Sequence, residues 1–173
     1  MKLKSSYLLT LLVIFLASTG CGVYSFTGTT ITAETISIQN FYNDASNGPA
    51  DLAVTFTNQI RDYFQQNTSL AQVSTDGELQ MEGSVIGYRL SPVAPSAATD
   101  DSSRDQSDLT RLTIVVEVTY VNLENEDFSF SRSFSQYADF NNELGLSAVE
   151  STLIEEIYDQ IILDIFNASV ANW

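Results

Sequence analysis

The chain has 173 residues, 44% of them hydrophobic and 11% aromatic, with seven basic side chains against 22 acidic ones, a single cysteine and no histidine. This is the composition of a globular protein and not of a disordered acidic tail. A net charge of −15 argues against nucleic acid and against a broad attraction to anionic lipid headgroups.

Residues 1–20 have the three parts of a secretory signal. Lys2 and Lys4 form a basic start, residues 7–17 (YLLTLLVIFLA) are apolar, and Ser18, Thr19 and Gly20 are the small residues a signal peptidase needs. The apolar run is shorter than the roughly 20 residues of a spanning helix. Gly20-Cys21 resembles the cleavage point of a bacterial lipoprotein, although Ser18 stands where leucine is usual. The alternative is an ordinary signal followed by an incidental thiol. A lone thiol in an oxidising compartment lacks a disulfide partner, which favours lipidation of Cys21. Two or more acyl chains there make a stable anchor. The mature chain then keeps five arginines and no lysine against all 22 acids, a net charge of −17. No acidic residue follows Cys21 before Glu34, so the aspartate associated with inner-membrane retention is lacking. The predicted location is the periplasmic face of the outer membrane.

Residues 21–32, rich in Gly, Ser and Thr, read as a lipidated tether, and residues 33–173 as one domain. Residues 35–41 (TISIQNF) alternate and predict a first strand. Pro49 suits the first turn of a helix, and Leu52, Phe56, Ile60 and Phe64 recur every four residues, so residues 49–66 predict an amphipathic helix. A second strand is predicted at 79–90 and a third at 109–123. In the third, Leu112, Ile114, Val116, Val118 and Tyr120 take one face and Arg111, Thr113, Val115, Glu117, Thr119 and Val121 the other. A polar turn at Asn125, Glu126 and Asp127 leads to a fourth strand at 128–137, antiparallel to the third. Ser147 and Glu150 form a capping box for a last helix with a wide apolar band from Val149 to Phe166. The order β-α-β-β-β-α predicts an α+β two-layer sandwich, two helices on one face of a four-stranded mixed sheet. Strands one and two are parallel by a right-handed crossover, or separated by another strand.

Reactive chemistry has little to build on. His-assisted triads are excluded, and thiol chemistry is blocked by acylation of Cys21. The carboxylates fall in loops and turns without a marked pair, and no metal-binding loop pattern appears. The reading is a non-enzyme with no cofactor, no metal and no catalytic residue. Two features remain. Residues 91–108 (SPVAPSAATDDSSRDQSD) form a connection long enough to be functional or disordered. At its base a hairpin of strands two and three brings Arg89 and Arg111 together, where either an anion or Asp100, Asp101, Asp105 and Asp108 must offset their repulsion. Arg132, on the aromatic side of strand four among Phe128, Phe130 and Phe134, is either a snorkelling edge residue or the sign of a bulge.

The opening at residues 21–28 (CGVYSFTG), the strand at 35–41 and the helix through Leu52, Phe56 and Ile60 resemble the LPS-assembly lipoprotein family, LptE. Residues 83–88 (GSVIGY), the strand through Leu112 and Val118 and the closing helix keep that family's order. The resemblance implies an outer-membrane lipoprotein that plugs an LptD-type β-barrel, assists its assembly and helps deliver lipopolysaccharide to the cell surface. On that basis Arg89, Arg111 and Arg132 are the candidate contacts for lipopolysaccharide. The competing class is another lipid-anchored periplasmic module, such as a secretion-system accessory or an envelope-binding protein; a hydrolase using acids is a third.

Overall fold

The computed structural model describes residues 32–93 and 109–170. In chain order these form β1 (Thr35–Ile38), β2 (Tyr42–Asn43), α1 (Leu52–Asn67), β3 (Ala71–Gln72), β4 (Leu79–Pro92), β5 (Leu109–Asn122), β6 (Phe130–Asn141) and α2 (Leu146–Ser169), with short 3-10 turns at Glu126–Phe128 and Asn142–Leu144. The sheet runs β3-β1-β4-β5-β6, and β2 pairs with β4 beyond the end of β1. The pairs β1–β3, β1–β4 and β2–β4 are parallel. The pairs β4–β5 and β5–β6 are antiparallel. The sheet therefore has six strands where the sequence pattern predicts four. Both additions are two residues long, too short to show an alternation. Of the two predicted arrangements for the first pair, the direct parallel contact holds.

Period-two patterning produces the long strands. Leu112, Ile114, Val116, Val118 and Tyr120 of β5 are buried against the helices, and their neighbours face outward. Leu52, Phe56, Ile60 and Phe64 are the buried stripe of α1, and Leu153, Ile157, Ile161 and Ile165 that of α2. Phe56 joins the layers, its ring edge-on to Phe41 at 4.9 Å and to Tyr158 at 5.0 Å. The Tyr158 hydroxyl donates to the Leu52 carbonyl at 3.0 Å, tying α2 to the first turn of α1. Thr57 links α1 to the strands: it accepts from the Phe41 amide at 3.0 Å and donates to the Ala53 carbonyl at 2.7 Å.

Three local expectations change. The last helix starts at Leu146 behind Gly145, with no side-chain cap, so the capping box does not form. Glu150 instead accepts a bond of 2.6 Å from the Tyr88 hydroxyl on β4; a tertiary partner has displaced the local one. The fourth predicted strand is shifted, running to Asn141. Its register with β5 is continuous from Leu109↔Asn141 to Tyr120↔Phe130, so no bulge sits at Arg132. The bulge lies in β4, between Val85 and Gly87. It reverses which face each later residue of β4 takes.

Candidate functional site

The helices cover one face of the sheet, and no described element covers the other face of β4, β5 and β6. Side chains there come in cross-strand rows. Arg89 lies beside Thr113, which lies beside Tyr137; Ser91 lies beside Arg111, which lies beside Asp139. Arg89 and Arg111 are thus diagonal neighbours on the open face, as the hairpin reading predicts. Among the described residues the partner of Arg111 is an acid of β6. Its guanidinium donates to both oxygens of Asp139 at 2.7 and 2.8 Å and lies 3.6 Å over the Tyr137 ring. Asp139 is the side chain that the sequence reading missed, because the predicted fourth strand stops two residues before it. Hydrogen bonding from Arg111 holds the Asp139 carboxyl below its ordinary range, and the same bond raises the guanidinium.

Arg132 is on the helix side of β6, where its guanidinium sits 4.9 Å from the Phe130 ring and 4.8 Å from the Phe134 ring. It is exposed while Phe134 is buried, which makes it a snorkelling side chain over an aromatic edge. It shares no surface with the other two arginines.

Arg89 borders a depression of about 770 Å³ between the Ser46-Asn47-Gly48 segment, β4 from Ile86 to Leu90, and Leu146 and Glu150 of α2. Gly48 has φ +95°, and a Cβ there would meet the Tyr88 ring at 2.7 Å, so only glycine lets this wall close on β4. Burial, reinforced by Glu150, raises the Tyr88 hydroxyl well above the ordinary tyrosine range. A second depression lies beside Arg61, whose Nε and Nη2 both donate to the Ile38 carbonyl, at 3.1 and 2.5 Å. That arginine is a structural clamp between α1 and β1.

Among the described residues no group of His, Cys, Asp and Glu could hold a metal ion, and no helix is long and apolar enough to cross a membrane. Cys21 and most of the 91–108 connection, with Asp100, Asp101, Asp105 and Asp108, lie outside the described residues. The arrangement offers surfaces and a cleft for binding, with polar groups spread over an open sheet.

The family model described as LptE, lipopolysaccharide-assembly, matches residues 33–169. No curated protein matches the chain. Among solved structures, the protein CT253 from Chlamydia trachomatis is 7% identical with a TM-score of 0.52, over 81% of this chain and 99% of that one. Protein XCC0632 from Xanthomonas campestris is 9% identical with a TM-score of 0.52, over 79% and 84%. The rare lipoprotein B from Shewanella oneidensis is 13% identical with a TM-score of 0.48, over 80% and 97%. The first two show a shared fold.

Proposed function

The chain belongs to the lipopolysaccharide-assembly family LptE, and from that we propose that it is an outer-membrane lipoprotein that plugs an LptD-type β-barrel and assists its assembly. Its role lies in lipopolysaccharide assembly, and it is a non-enzymatic protein of that family. In the proposal, acyl chains on Cys21 hold it at the periplasmic leaflet and the barrel surrounds the folded part.

The observation that carries this reading is the extent of the family match, which takes in every described strand and helix from Thr35 to Ser169. The geometry is compatible with a plug. A barrel lumen is polar, and the open sheet face presents the hydroxyls of Thr113, Thr119, Ser131, Ser133 and Ser135 beside the charges of Glu82, Arg89, Arg111, Glu117 and Asp139. Small hydroxyl side chains lose little rotamer freedom when a partner covers them.

Lipopolysaccharide contact is proposed for Arg89, with Arg111 beside it. Asp139 already satisfies two donors of Arg111, so Arg89 has the larger share. Arg132 stands apart on the other face and would meet the ligand only at a separate point. The strongly acidic remainder of the chain confines any such contact to these positions.

Depletion of the chain from its host tests the role. Surface lipopolysaccharide should fall while lipopolysaccharide accumulates inside the outer membrane. Unchanged surface lipopolysaccharide in fully depleted cells would contradict the assignment.

A further inference from the structure

Strand β4 is paired on its β5 side along its whole length, from Leu79 to Pro92. On its other side, β1 covers Leu79 to Met81 and β2 covers Ser84 and Val85. From Ile86 to Pro92 no described strand takes that edge. The Val93 amide donates to the Leu109 carbonyl at 3.0 Å. By the alternation of an antiparallel ladder, Ser91 and Arg89 also turn their backbone groups toward β5. The amides and carbonyls of Tyr88 and Leu90, with the Pro92 carbonyl, therefore point to the open edge. Pro92 lacks an amide, which suits the end of an edge strand.

This edge borders the 770 Å³ depression, whose opposite wall is the Ser46-Asn47-Gly48 segment. Leu90 keeps 43% of its surface exposed, although its β5 partner Leu112 is fully buried, and Ile86 at the bulge keeps 39%. Five backbone groups without a partner among the described residues, a slot beside them and two exposed aliphatic side chains meet at one place. Backbone groups in extended geometry are complementary to one ligand chemistry above others, another extended polypeptide.

We propose that the β4 edge from Ile86 to Pro92 takes up an extended segment of the barrel partner as an added strand, hydrogen-bonded to Tyr88, Leu90 and Pro92. The inference rests on the barrel reading given above and names the surface of contact. An aliphatic residue of the entering strand packs on Leu90 and Ile86. Its neighbours in sequence, on the other face, meet Arg89. The chain's own residues 94–108 are the rival occupant. Their composition of Pro, Ser, Ala and Asp is poor for a strand, which favours the partner.

Three measurements on the full-length lipoprotein test this. Amide exchange on the detergent-solubilised chain alone should show the Tyr88 and Leu90 amides exchanging at least about a hundredfold faster than that of Arg89, and becoming protected in the complex extracted with the barrel. Protection already present in the chain alone would assign the edge to residues 94–108 and overturn the proposal. Next, a photoreactive residue is placed at Leu90, with a control at Ser133, and cross-linked peptides are identified by mass spectrometry. The expected product at Leu90 joins it to a single extended segment of the barrel protein. A product joining two copies of this chain overturns the proposal, as does recovery of the barrel complex without a Leu90 adduct. Failure to recover any barrel protein would instead sink the function reading on which the proposal rests. Leu90→Pro removes an edge-facing amide and spares the β5 ladder, so capture of the barrel should fall about tenfold with the amide-exchange pattern of β5 retained. Undiminished capture by a folded Leu90→Pro chain would count against the edge.

Discussion

Arg111 and Asp139, 28 residues apart in sequence, face each other across β5 and β6 through two parallel hydrogen bonds of 2.7 and 2.8 Å. The pair is fixed by register alone, and Tyr137 backs the guanidinium on the same open face. Both side chains keep about a third of their surface exposed. Asp139→Asn should therefore cost no more than about 1 kcal/mol. The folded carboxyl lies below its unfolded value, so the pair's contribution is complete above the ordinary carboxylate range and is lost as pH falls through the folded value. Chemical denaturation of wild type and Asp139→Asn at pH 7 and at stepwise lower pH checks this: the two should differ at neutral pH and converge once the pH falls below the folded carboxyl's value.

A larger effect belongs to Gly83. A Cβ there would sit 2.0 Å from the Glu117 carbonyl oxygen on β5 and 2.8 Å from the Phe41 ring. Neither a ladder carbonyl nor a buried ring can step aside cheaply, so Gly83→Ala should destabilise by about 1–3 kcal/mol or more. For Gly87→Ala the nearest atom is on the Val115 side chain, at 3.1 Å, and the cost should be less. Thermal melts of the two variants order them directly.

The long elements were legible because each has one buried and one exposed face. The β5 alternation and the four-residue spacing of α1 survive into the structure almost unchanged. What was hidden depends on distant parts of the chain. Tyr42–Asn43 and Ala71–Gln72 become strands only because β4 and β1 present edges to them. Glu150 leaves its local capping role for Tyr88, 62 residues away. The closeness of Arg89 and Arg111 was readable from the hairpin. Their inequality was not, since it hangs on the offset of β6 that delivers Asp139.

That inequality gives a prediction for ligand binding. Removing both Arg89 and Arg111 should weaken lipopolysaccharide binding by about tenfold or more at low salt. Most of the loss should follow from Arg89→Ala alone, because Arg111 is already engaged. Titration of purified lipopolysaccharide against the folded single and double variants measures this. Equal affinity of wild type and double variant would remove both residues from the proposed site.

The proposed tether has its own test. Cys21→Ala behind an ordinary cleavable signal should release a folded, soluble periplasmic chain in cells lacking the barrel. Fractionation reports the outcome. A cleaved chain that remained in the membrane fraction would place the anchor elsewhere.

Affinity purification of the full-length lipoprotein from outer membranes in mild detergent bears most directly on the central claim. A large outer-membrane β-barrel of LptD type should be recovered with it in a stable complex. Recovery of the intact lipoprotein without such a barrel, under conditions that preserve other membrane complexes, would contradict it.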